Sequence, residues 1–183
     1  MAAPVIRPAL LVATLLVGAV AACARRAPIP PLPPFPDGVW QVAVAEPANR
    51  TGHELRMDDR GAVTVFLGPN RSTVPELLAA DLRVAIRKRR FDVLAERGAV
   101  PVLRVELDRW EADAADWSTV TVDLTATLVE PTGGRTLWTA ARHGWVVPTP
   151  GAHARPEAFV AASRDVANAL VAGWQPTRPA RTK

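Results

Sequence analysis

The chain contains no tyrosine, a single cysteine and only three histidines among its 183 residues. The lone cysteine, Cys23, excludes an intramolecular disulfide. His53, His143 and His153 have no cysteine or carboxylate at the helix or hairpin spacing a metal site requires, so neither metal nor cofactor is expected. A G-x-S-x-G elbow, a P-loop and a G-x-G-x-x-G turn are missing too. The carboxylates Glu106, Asp108 and Asp123 fall on faces expected to be wet, where solvation explains them better than a hydrolytic pair does. The sequence therefore argues against an enzyme. Charge of one sign is scarce as well: the formal net charge is +4, a modest arginine excess. The high pI reflects that excess and the missing tyrosines, which is not the signature of a nucleic-acid binder.

Long apolar runs are nearly absent. Ala9 to Ala22 is a charge-free stretch of fourteen residues behind a lone Arg7. As a helix it would cover about 21 Å, too short for a hydrocarbon core of roughly 30 Å. A positive start, a short apolar middle and small residues before a cut make a signal peptide. Its end, Val20-Ala21-Ala22-Cys23, resembles the bacterial lipoprotein signal: an aliphatic residue, two small ones, then cysteine. That resemblance implies a lipid on Cys23, cleavage after Ala22, and attachment to a membrane through the acyl chains (a palmitate-type anchor). The competing readings are a chance cysteine after an ordinary secretory signal, or an uncleaved anchor helix. Lipidation would also remove an unpaired thiol from an oxidising compartment. Ala24 stands where the best-known sorting signals carry aspartate for inner-membrane retention, so it resembles an address for the periplasmic face of the outer membrane.

The expected organisation is a signal peptide over 1–22, a lipidated N-terminus and tether over 23–38, one domain over 39–175 and a flexible tail over 176–183. Six of the ten residues from Ala27 to Pro36 are proline, which predicts an extended polyproline II spacer of about 30 Å. Trp40 to Ala45 reads as a covered strand, and Asn49-Arg50-Thr51-Gly52 as a turn. Residues 53–72 are polar and irregular, with Val63 to Leu67 as a short strand in a protruding hairpin. Thr73, Pro75 and Glu76 open a helix with a capping box, and Val74, Leu78, Leu82, Ala85 and Ile86 form its apolar stripe. It ends in Arg87-Lys88-Arg89-Arg90, which can bind phosphate or headgroups, or simply match the helix dipole in solvent. The dipole reading is the simpler one.

Phe91 to Leu94 is a second strand. Leu103 to Asp108 and Val120 to Leu128 alternate apolar and polar strictly, which demands strands with one buried and one wet face. Pro131 to Gly134 turns the chain into a third strand, Arg135 to Val147, completing an antiparallel meander. A last helix begins near Pro156, with Phe159, Ala162, Val166, Ala169, Leu170 and Gly173 on one face. The expected fold is a two-layer α+β domain: strand, helix, strand, three-strand meander, helix, with both helices on one face of the sheet. If Leu103, Val105 and Leu107 point inward, Trp110 faces outward unless a bulge intervenes. Trp110 and Trp117 then either meet a partner or close the end of the layer against each other.

The whole resembles small bacterial envelope lipoproteins, including the ABC-type transport auxiliary lipoproteins and proteins sharing the fold of the curli-secretion lipoprotein. Val42-Ala43-Val44 with Asn49 to Gly52, Val102 to Leu107, and Val120 to Glu130 with Thr132 to Trp138 carry the likeness. It implies a non-catalytic accessory subunit of an envelope lipid-transport system. The alternative is a docking or regulatory lipoprotein for cell-wall synthesis or an outer-membrane secretion pore. The expected partner contacts are Asn49, Arg50, Thr51, Gly52, Trp110 and Trp117, and the expected partner is an envelope protein, not nucleic acid.

Overall fold

A computed structural model describes residues 31–57, 73–95 and 99–177. Cys23, the signal segment and the hairpin expected at Val63 to Leu67 lie outside the described residues. The fold is α+β, with two helices packed on a mixed sheet. Strands β1 (Gln41–Val44) and β2 (Ala48–Asn49) precede helix α1 (Val74–Lys88), and β3 (Asp92–Leu94) follows it. Then come β4 (Val102–Ala112), β5 (Thr119–Val129), β6 (Thr136–Pro148) and helix α2 (Arg155–Leu170). The sheet order is β3-β1-β4-β5-β6, with β2 added beside β4. β1 is parallel to both neighbours, whereas β4, β5 and β6 form the antiparallel meander.

Local chemistry accounts for each element. The Thr73 hydroxyl accepts from the Glu76 N–H at 3.4 Å while the Glu76 carboxylate accepts from the Thr73 N–H at 3.1 Å. That reciprocal pair satisfies two donors at the start of α1. Val74, Leu78, Leu82, Ala85 and Ile86 are all buried, as their spacing requires. In β5 Val120, Val122, Leu124, Ala126 and Leu128 are buried, and every alternate residue is half-buried because strands flank β5 on both sides. On α2, Phe159, Ala162, Val166 and Leu170 are buried, Ala169 is half-buried, and Gly173 is exposed beyond the helix end. The Ser163 hydroxyl, fully buried, donates to Asp81 Oδ2 at 2.8 Å and ties α2 to α1.

Register shifts interrupt the meander at three places, between Leu107 and Arg109 in β4, and between Val122 and Leu124 and between Leu128 and Val129 in β5. Leu107 pairs with Leu124 but Arg109 pairs with Asp123, so Asp108 is an extra residue in β4. The extra residue reverses the alternation beyond it. Trp110 accordingly points inward, 1% exposed, with its ring edge-on to Phe159 at 6.3 Å. The outward orientation expected for Trp110 is thus corrected, and the bulge is the physical reason. Opposite Asp123, β6 carries an extra residue of its own: Gly144 adopts φ +59 and its N–H donates to the Asp123 carboxylate.

A second correction concerns the proline-rich stretch. Leu32 and Phe35 pack against the core, and the Trp138 indole donates to the Pro33 carbonyl at 3.1 Å. Phe35 lies 4.1 Å from Trp174 and 5.3 Å from Phe91, ring centre to ring centre. Residues 31–36 are therefore a strap on the domain, not part of a free spacer. Polyproline II has three residues per turn, so Leu32 and Phe35 fall on one side of the strap. Burying even part of an aromatic ring stabilises by on the order of 1–3 kcal/mol, and proline has little freedom to lose.

Candidate functional site

Both helices begin at one end of the domain, where three segments converge. The first starts at β2, whose pairing with Glu106 and Leu107 of β4 delivers Asn49 to the surface. The Asn49 carboxamide oxygen accepts from the Thr51 N–H at 3.1 Å and from the Thr51 hydroxyl at 2.7 Å, and its amide donates to the His53 carbonyl at 2.8 Å. Gly52 takes φ +80, a conformation that favours glycine. Arg50 bonds the Glu106 carboxylate across to β4, an exposed ion pair worth little by itself. Asn49, Arg50, Thr51 and Gly52 thus form one self-bonded turn. Beyond it Leu55 and Met57 are buried, the Leu55 carbonyl accepts from the Val74 N–H at 2.9 Å, and Arg56 bridges to Thr73.

The second segment is the tight loop between β4 and β5. Asp113 Oδ1 accepts from the Ala115 N–H and Asp116 Oδ1 from the Ser118 N–H, both at 2.9 Å. The Ser118 hydroxyl and then its backbone N–H hold the exposed Asp116 carboxyl below its ordinary range. Between these turns Trp117 adopts φ +57, a left-handed conformation that is an outlier for a bulky side chain. It is fixed from both sides. Its N–H donates to the Asp113 carbonyl at 3.0 Å, and its carbonyl accepts from the fully buried Thr149 hydroxyl at 2.6 Å.

The third segment is the start of α2. Ala154 is the N-cap and offers no side-chain acceptor, while the His153 N–H donates to Glu157 at 2.8 Å. Arg155 stacks its guanidinium over the Phe159 ring at 5.0 Å. Arg56, Met57, Trp117, His153 and Arg155 line an open cavity of about 340 Å³. Two guanidiniums and an indole around one recess suit an anionic or aromatic group of a partner.

Of the residues expected to meet a partner, Trp117 stands at this cavity, whereas Trp110 is buried beneath the layer and cannot touch one. The Asn49–Gly52 turn belongs to the segment that leads into the cavity wall at Arg56. Sequence reasoning missed Arg56, His153 and Arg155. A signal for Arg155 was present: a cation in the first turn of a helix opposes the dipole and needs another reason to be there. Glu106 and Asp123 have the structural partners Arg50 and Gly144. Among the described residues no three of histidine, cysteine, aspartate and glutamate gather as a metal site, and no helix is long and apolar enough to cross a membrane.

No protein-family model matches the chain, and no curated protein does. Solved structures similar to it include a Xanthomonas campestris protein described by the DUF330 family model, at 24% identity and a TM-score of 0.49, covering 77% of this chain and 86% of that one. The PelC dodecamer of Paraburkholderia phytofirmans is similar at 17% identity and a TM-score of 0.42, over 77% of this chain and 94% of that one. Lipoprotein GNA1162 of Neisseria meningitidis is similar at 12% identity and a TM-score of 0.38, over 72% and 92% of the two chains.

Proposed function

We propose that the chain is a non-catalytic, lipid-anchored envelope lipoprotein serving as an accessory subunit of an ABC-type lipid-transport system. Its lipid sits on Cys23, at the periplasmic face of the outer membrane, and its protein partner docks at the end of the domain around Trp117. The observation that carries the docking site is the backbone of Trp117. A left-handed tryptophan costs on the order of 1–3 kcal/mol, and such strain collects where a side chain must be presented in a fixed way. Here it holds a large ring at the rim of a cavity with Arg56, His153 and Arg155. Tryptophan and arginine are the side chains most often dominant in protein interfaces. The anchor rests on the Val20-Ala21-Ala22-Cys23 pattern.

The anchor is tested by Cys23→Ser, which should leave an uncleaved precursor or a soluble form; normal processing with membrane fractionation would exclude lipidation. The docking site is tested by a photo-crosslinking residue at position 153 in the lipidated protein. It should capture an envelope protein belonging to a lipid-transport complex, and Trp117→Ala should abolish that capture. Recovery of lipid alone, or capture unchanged by Trp117→Ala, overturns the site.

A further inference from the structure

At the end of the domain opposite the Trp117 cavity, α1 stops in a way that its charge makes unusual. The Arg90 N–H donates to the Arg87 carbonyl at 2.8 Å, and the Phe91 N–H reaches back to the Ile86 carbonyl at 3.4 Å. This is the paired reversal that ends many helices, with its left-handed residue at position 90 and with Ile86 and Phe91 both buried in the core cluster. Glycine normally occupies that position because a side chain there is strained. Here it is Arg90, at φ 69. A dipole-matched helix end needs cations in its last turn, which Arg87 and Lys88 already supply. It does not need a strained one after the helix has ended.

Arg87, Lys88, Arg89 and Arg90 are all exposed. Arg87 and Arg90, with Phe91, Asp92 and Pro176, line an open recess of about 550 Å³, in which Asp92 is the one acidic side chain. The recess adjoins the proline strap, because Phe35 packs edge-on against Phe91. Pro31 stands eight residues after Cys23. A fully extended chain can carry the two no more than about 29 Å apart. A lipid on Cys23 would keep this end of the domain close to a membrane whatever path the intervening residues take.

We propose that the Arg87–Arg90 end of α1 docks on the anionic headgroups of the membrane to which Cys23 is anchored. The proposal rests on the lipoprotein reading for the proximity of that membrane. The complementary charge is the phosphate of the headgroups, and Phe91 and the strap form the apolar floor beside it. The cations act within a Debye length of about 8–10 Å, so the docked state is salt-sensitive.

The experiment uses the full mature chain carrying Cys23→Ser, floated with vesicles of phosphatidylcholine alone or enriched in phosphatidylglycerol. Binding should appear on the anionic vesicles, fall with salt, and resist inorganic phosphate at concentrations too low to change ionic strength appreciably. Reversing Arg87, Arg89 and Arg90 to glutamate should weaken it more than about tenfold. Arg90→Gly removes one charge at a position whose backbone suits glycine, so vesicle binding should fall while the chain stays folded. Equal partitioning onto neutral and anionic vesicles, displacement by dilute phosphate, or binding untouched by the triple reversal would overturn the surface. Intact mass of the wild-type protein reads the acyl group on Cys23 separately. An acylated protein whose unlipidated form ignores phosphatidylglycerol would sink the surface and leave the anchor standing.

Discussion

Trp110 carries one of the two buried indole N–H groups that have no partner among the described residues; the other belongs to Trp174. A buried donor left unpaired costs on the order of 1–3 kcal/mol, so Trp110 stabilises by its volume against Phe159 and loses part of that through its nitrogen. Trp110→Ala should therefore cost about 3–5 kcal/mol, whereas Trp110→Phe, which removes the orphan donor along with some volume, should stay within about 1 kcal/mol of wild type. Urea denaturation separates the two. Equal losses would mean that the indole has a partner or that the site collapses around either replacement. Asp116 sets a second, local expectation. Its folded-state carboxyl is held below its ordinary range, so what it contributes is present above the unfolded value and disappears as pH falls through the folded one. The Ser118 amide should shift in NMR spectra on acidification, and Asp116→Asn should remove that acid step.

Elements were legible wherever one face alone decides. The capping box, the α1 stripe and the nine alternating residues of β5 each encode their structure in spacing that tertiary contacts then reinforce. What spacing could not encode was the bulge at Asp108, because one extra residue leaves composition unchanged and flips everything after it. The cavity was invisible for a related reason: Arg56, Trp117 and Arg155 are far apart in sequence and meet only because both helices start at the same end. Leu32 and Phe35 were legible in principle, but only by counting in threes through the prolines. The sheet itself carries a sharp test. Leu124→Asp buries a charge and should cost several kcal/mol, while Thr125→Lys projects from the other face opposite Glu106 and should cost under about 1 kcal/mol. Matching melting temperatures would contradict the one-sided sheet.

At the scale of the molecule, the Trp117 cavity and the Arg87–Arg90 recess fall at opposite ends of the domain. Both helices start near the Trp117 cavity and finish near Phe91 and Trp174, which lie 5.8 Å apart. The fifteen residues of α1 put about 22 Å between the two ends. An anchored domain meets its partner at high effective concentration only if its tether lets the binding end arrive, so reach is set by the residues before Pro31 plus the height of the domain. This separates two manipulations that the sequence alone would treat as one. Deleting Pro28–Pro30 should impair function in a complementation assay and leave the melting temperature unchanged. Phe35→Ala should instead lower the melting temperature, by about 2–4 kcal/mol of lost stability, and change the fluorescence of Trp138 and Trp174, which share its cluster. If Phe35→Ala leaves stability and fluorescence untouched, the strap is not docked and the whole stretch from Ala27 to Pro36 reverts to a free spacer. If deleting Pro28–Pro30 leaves function intact while Phe35→Ala abolishes it, the domain works through the strap itself and the length of the tether is irrelevant.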